Sequence, residues 1–493
     1  MRKLMRKLAL VLLVFTCIYF ILLIPDKESR PLKMESPARP FYWNKQQLWQ
    51  KLENDFVQAK ALQPLILGAS LRSKMHEADS MLAAITEDKI PVTDNRLLGL
   101  ETVSFQLAPL VAASPESLSW YLAFYNRVRN QVKVHSRNWD MNTAAARQNV
   151  YRLLYGMRAA TEEAILQAGD RKIDPVLQVT ETYSVAPSTT MLGMKLHSGD
   201  ILLSRGSAPV SALIARGNDY PANFSHIALL YVDSFTGKAL LIESHIEKGV
   251  AVSSPEEYLK DPKLRLMVLR PVNTLPVMKA DPLLPHKAAS MMLKAVGRKH
   301  IPYDFKMDVH DTTAMFCSEV ASYAYRRQGL HLWEPVSTIS SPGVVNWLQS
   351  FGVEHFVTQM PGDLEYDPQL AVVSEWRNRE SLYNEHIDNA VLDAMLGYAN
   401  SGAALNYNKW KLPLARTIKA YCMVLNRFGK YGLIPEGMSA TRALKNESFT
   451  RWFERVKAAV RQQAAAFTAK KKYRPPYWHL VSFSEDAVKS IGQ

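Results

Sequence analysis

The chain has 493 residues, 47% of them apolar, and a formal net charge of +14, enough length for two to four domains with sizeable cores. A basic balance suits a protein held near anionic lipid, acidic cell-wall polymer or nucleic acid. No zinc finger, Gly-rich phosphate loop or RNA-binding aromatic signature occurs, so nucleic acid is the weakest partner and no cofactor is called for. Three cysteines, Cys17, Cys317 and Cys422, are too few and too scattered for a disulfide framework or a cysteine metal site. No HExxH pairing offers zinc an alternative, so no metal is expected.

The N-terminus, "MRKLMRKLALVLLVFTCIYFILLIPDK", places Arg2, Lys3, Arg6 and Lys7 before an uncharged stretch at 8–25. About 20 apolar residues cross a bilayer, and no A-x-A-like cleavage site follows closely. The segment 1–25 reads as an uncleaved signal anchor, with a cleaved signal as the alternative. Cys17 reads as a lipid-facing residue, since Phe15 and Thr16 ill suit a lipoprotein signal. The positive-inside rule then puts a single span in the inner membrane and the bulk of the chain in the periplasm or exterior.

Residues 26–40, polar and Pro-containing, read as a tether. Residues 41–170 read as a helical domain. Ser114-Pro115 opens one helix, carried on by Leu118, Leu122 and Tyr125, and a second long helix ends at Gly169. No fixed-period repeat supports a solenoid. Residues 171–195 lack a clean period and read as a linker. Short β-branched runs follow, "GDILLSRG", "SHIALLYV", "KALLIESH", "GVAVSS" and "LRLMVLRPV", which predict a strand-rich domain over 196–377. Residues 378–493 return to helix. The basic amphipathic stretch 451–478 predicts a solvated charged face, or else a surface toward membrane or polymer. The fold class is therefore α+β.

"AMFCSEVASYAY" predicts a helix over 314–328, capped by Thr312 or Thr313 and stopped by Gly329. Cys317, Val320, Ala321 and Ala324 share one face, so Cys317 alone reads as core packing. Its place in the first helical turn favours a thiolate, however, and a nucleophilic cysteine needs an imidazole held by a third group. His226 and Glu243 lie on consecutive predicted strands. With Asp233 to Thr236 as the connecting loop, Val232 faces Gly237 and His226 faces Glu243, about 5 Å apart at Cβ. A one-residue slip would turn Glu243 to the other face. His245 shares Glu243's face and is the rival orienter.

These segments, from "LHSGDILLSRG" through "NFSHIALLYV", "LLIESHIEKGVAVSS" and "GRKHIPYDF" to "AMFCSEVASYAY", resemble the circularly permuted branch of NlpC-type papain-like cysteine amidases, a branch related to the lecithin:retinol acyltransferase group. The order His, Glu, Cys is the permuted one, and the resemblance covers about 196–377. It implies a permuted papain-like domain with an antiparallel sheet. It implies Cys317 as nucleophile, His226 as general base and then acid, and Glu243 as the residue that orients the imidazole. Asp200 matches a position typical of the family, with a turn at the strand start as its plainer role. Tyr303 is expected to line or support the pocket, with His245 beside it. The expected activity is cysteine hydrolysis of an amide in a cell-envelope substrate, a peptidoglycan peptide or another peptide. Acyl chemistry on membrane lipid and a non-catalytic binding module are the alternatives.

Overall fold

The computed structural model describes residues 2–26, 47–86, 89–169, 173–179, 182–333 and 337–492. The expected tether, from residue 27 on, lies outside them. The first helix, Arg2–Leu22, contains an 18-residue window, Met5–Leu22, with mean hydropathy 2.1 and none of it buried. By length and composition it can cross a membrane, consistent with a signal sequence or an anchor.

The architecture is α+β: an N-terminal helical region, a central seven-stranded antiparallel sheet and C-terminal helices. The N-terminal helices are Gln47–Ala61, Pro64–Thr86, Asn95–Ala113, Leu118–Ser136 and Ala144–Tyr151. The last runs through a π-turn at Arg152–Gly156 into Met157–Gln167, and Gly169, at φ +64°, follows as the predicted stop. Asp94 and Thr143 cap two of these helices through side-chain acceptors.

The sheet strands are β1 (Val176–Gln178), β2 (Ile201–Gly206), β3 (His226–Val232), β4 (Ala239–His245), β5 (Gly249–Ser253), β6 (Lys263–Pro271) and β7 (Leu370–Trp376). Their spatial order is β1-β7-β6-β2-β3-β4-β5. Both faces are covered. Ile201, Leu203, Ile227 and Leu229 join the main core, while Leu202, Ala228 and Leu230 form a second cluster with Met191, Met194 and Tyr258. That is the period-two alternation of a strand between two apolar layers.

The stretch 171–195 is not a bare linker. It supplies β1, which pairs with β7, and a separate hairpin of Ser188–Met191 with Met194–His197. A three-residue strand takes its stability from hydrogen bonds to an existing edge, so it leaves no periodic trace in the sequence.

Both helical regions pack against the sheet, because one core runs from Trp49 to Val488 through helices and sheet. Buried ion pairs cross the same boundaries. Arg129 pairs with Glu375, Arg158 with Glu365, and Arg265 bridges Glu162 (2.8 Å) and Glu385. Such charges persist in a core only when matched closely. In the C-terminal region, helix Ala440–Lys471 buries Phe449, Trp452, Phe453, Val456 and Val460. Its apolar face is thus taken up by the core, and the basic residues Arg451, Arg455, Arg461, Lys470 and Lys471 stay exposed.

Candidate functional site

The β3–β4 hairpin differs from expectation in register. Ala228 pairs with Glu243 and Val232 with Ala239, so the loop is the six residues 233–238. Asp233 sets this length. Its backbone N–H donates to the Lys238 carbonyl (2.9 Å), and its carboxylate accepts from the N–H groups of Phe235 (3.0 Å) and Thr236 (2.8 Å). Gly237 adopts φ +69°, as such a turn demands. The slip relative to the predicted pairing is two residues, an even number, so Glu243 keeps its face and meets His226 diagonally. His226 Nε2 lies 2.8 Å from Glu243 Oε2. His245 Nε2 lies 3.1 Å from the other carboxylate oxygen, which also accepts from the Ser253 hydroxyl at 2.8 Å.

The cysteine helix is shorter than predicted and begins at Cys317 itself, running Cys317–Arg326. Thr313 does not cap it, because its N–H and hydroxyl both donate to Asp311 Oδ1 (2.8 and 2.7 Å). Residues just before Cys317 are extended instead. The Met315 N–H donates to the Pro302 carbonyl (3.0 Å), and the Met315 carbonyl accepts from the Ser244 hydroxyl (2.6 Å). Strand β4 therefore fixes the approach to Cys317 directly. Val320, Ala321 and Ala324 join the main core with Ile227, Leu229 and Ile242. Cys317 is 4% exposed yet stands outside that apolar cluster, with Sγ 3.9 Å from the Ser225 carbonyl at the start of β3.

Burial disfavours a charged imidazole at His226, but hydrogen bonding with Cys317 and Glu243 outweighs it and raises the pKa to about 9. With Nε2 given to Glu243, Nδ1 is the nitrogen left for the thiol. Burial also opposes charge on Glu243, yet hydrogen bonds from His226 and His245 hold its carboxyl well below the usual range. Glu319, one turn into the helix, accepts from the Phe316 N–H (3.0 Å) and is pushed up to about 8, chiefly by burial. It is thus neutral at pH 7 and adds no negative charge beside the thiol.

The His226 shift has a stability consequence. A histidine whose pKa rises from 6.5 to about 9 on folding stabilises the fold fully below pH 6.5, and that contribution disappears as pH climbs through 9. Thermal melts of the wild type should fall by several degrees between pH 7 and 9.5. His226→Gln should lack that component of the fall.

Tyr303 is half-buried, packs edge-on against Phe305 at 5.0 Å and is raised well above its ordinary pKa, by burial first and then by negative charge on Cys317. The structure thus brings Cys317, His226, Glu243, His245 and Tyr303 together. It does not bring Asp200. That carboxylate is buried in a two-point pair with Arg270 (2.7 Å at each oxygen) and accepts from the His197 N–H at 2.7 Å. It lies opposite Leu230, about 13 Å up the sheet from His226 at 3.3 Å per residue. Asp200 therefore has a structural role and does not line the pocket as a substrate-binding residue. Asp200→Asn leaves Arg270 buried without its countercharge and should cost about 3–5 kcal/mol in denaturant unfolding. Cys317 should still react with a thiol-directed probe in that variant.

Three supporting residues escaped the sequence reading. Ser253 holds the second oxygen of Glu243, and Ser244 anchors Met315. Gly249, at φ +70°, admits the loop bearing Tyr303, since a Cβ there would lie 2.2 Å from the Ile301 carbonyl oxygen. Ser253 was accessible through strand alternation from Glu243 across β4 and β5, whereas the other two depend on loop placement. His226, Glu243 and His245 also offer one donor atom each within 4.8 Å, a spacing a metal ion could use. As placed, the carboxylate is occupied in holding the two imidazoles.

No model of a known protein family matches the chain, and no curated protein matches it.

Proposed function

We propose that this protein is a membrane-anchored cysteine hydrolase of the permuted papain-like type, with its bulk in the periplasm or exterior. The observation that carries the reading is the chain Cys317–His226–Glu243, a thiol at a helix start next to an imidazole whose other nitrogen is held by a buried carboxylate. In this reading His226 takes the thiol proton and Cys317 Sγ attacks a carbonyl carbon, forming a tetrahedral oxyanion. The backbone N–H groups of Cys317 and Ser318, in the first turn, have no acceptor within the helix and are suited to that oxyanion. His226 then gives its proton to the leaving nitrogen or oxygen as the thioester forms. Water, deprotonated by His226, resolves the thioester to the free acid.

The favoured substrate is an amide of a cell-envelope peptide. A lipid ester is the second reading, favoured by the exposed apolar surface beside the site, considered next. Incubation of the full-length protein with muropeptides and with phospholipids, read by mass spectrometry beside Cys317→Ala, tests both. New carboxyl products from neither class would defeat the hydrolase assignment.

A further inference from the structure

The helix Leu412–Arg427 buries Leu412, Ala415 and Cys422 against the body of the protein. Its outward side is apolar as well. Leu414, Tyr421, Val424 and Phe428 are exposed, and their spacing of i, i+7, i+10 and i+14 sets them on one stripe. Trp410 continues the stripe before the helix, and Leu433, 88% exposed, lies in the loop that follows it. A soluble surface seldom leaves so many large apolar side chains contiguous unless something covers them.

Two observations identify what covers them. The first is continuity with the apolar N-terminal helix. Arg416 donates to the carbonyls of Leu22 (3.1 Å) and Ile24 (2.6 Å) and pairs with Asp26 (3.0 Å), while the Tyr19 hydroxyl meets the Trp410 carbonyl at 3.5 Å. The stripe therefore begins where Met5–Leu22 ends. The second is charge. Residues 409–433 contain six Lys or Arg and no Asp or Glu. An apolar stripe flanked by Trp, Tyr and basic side chains matches a helix lying in a membrane interface, and the basic excess matches anionic headgroups. A second copy of the same face would meet like charge.

We infer that 409–433 is an interfacial membrane-binding element that lies on an anionic lipid surface beside the N-terminal helix. Its inner side forms the flank of the candidate site. Cys422, Ile434 and Met438 cluster with Ile246 and Phe305, the neighbours of His245 and Tyr303. The lipid surface is thus adjacent to Cys317, whether or not that thiol reacts.

The test uses the full-length chain in nanodiscs holding one copy each, in a Cys17→Ser, Cys317→Ala background that makes it independent of chemistry. Val424→Cys, Leu433→Cys and, as reference, Phe235→Cys on the fully exposed β3–β4 turn each carry an environment-sensitive fluorophore. In phosphatidylglycerol-rich discs, spin-labelled lipid should quench the 424 and 433 labels at least about fivefold more than the 235 label. The excess should shrink in pure phosphatidylcholine discs. Aqueous iodide quenching 424 and 433 as strongly as 235 would overturn the inference. Equal lipid quenching in the two discs would overturn its anionic part.

Discussion

Cys317→Ala is expected to abolish covalent capture of a thiol-directed acyl probe while the protein stays folded. Loss of Sγ removes the one atom that the proposed chemistry cannot replace. The packing cost is small, about 1 kcal/mol for a side chain outside the main apolar cluster, so thermal unfolding should shift little. The other two cysteines sharpen the readout. Cys422 is buried with its sulfur accepting from the Ile434 N–H at 3.4 Å, and Cys17 is exposed on the apolar N-terminal helix. Peptide mapping of the adduct therefore distinguishes Cys317 from background. Capture at an undiminished level in the variant, or an adduct that maps elsewhere in the wild type, would end the nucleophile assignment.

Glu243→Gln should be nearly as damaging, slowing probe capture by about three to four orders of magnitude, as loss of a charged imidazole partner does in a related arrangement. The carboxylate is buried, accepts from both His226 and His245, and carries the negative charge that offsets the burial of a protonated His226. An amide keeps the shape and removes the charge. Part of what offsets burial at His226 is then lost, so its pKa falls from about 9, while the hydrogen bond with Cys317 still opposes burial. Rate-versus-pH profiles would show this as a downward move of the limb due to His226. Ser253→Ala, which removes only one hydrogen bond to the same carboxylate, should cost about tenfold or less. A Glu243→Gln protein with wild-type capture rate would show that His226 needs no orienting charge.

The hairpin shows how much of the site can be read from the chain. Side chains alternate with period two, so His226 and Glu243 belonged to one face under any even register, and their encounter survived a misjudged loop. Loop length was the part not legible, because Asp233 closes the turn through its own carboxylate, an interaction that hydrophobic patterning does not record. The cysteine helix behaves alike. Its buried face is evident from the spacing of Val320, Ala321 and Ala324. Its first residue is not, since Asp311 captures Thr313 and the Pro302 and Ser244 groups draw Met315 into an extended path. That competition moved Cys317 from the first turn to the first residue, where its N–H is free of the helix ladder. Asp200 illustrates the converse. A Gly-Asp at a strand start suggests a turn or a ligand, and only the fold reveals Arg270, seventy residues on, as its partner.

By itself the sequence determined the apolar N-terminal helix, the α+β division, the buried face of the Cys317 helix and the alternation that lets His226 and Glu243 share a face at any even register, because each is written in a local period. Tertiary structure alone decided that the flanking helices share one core with the sheet, that Val176–Gln178 completes its edge, and that Leu412–Arg427 turns an apolar stripe outward beside the N-terminal helix. Burial depends on what lies opposite a residue in space. Ala440–Lys471 buries its apolar face, whereas Leu412–Arg427 buries one apolar side and leaves another exposed, and a local period does not say which side is covered.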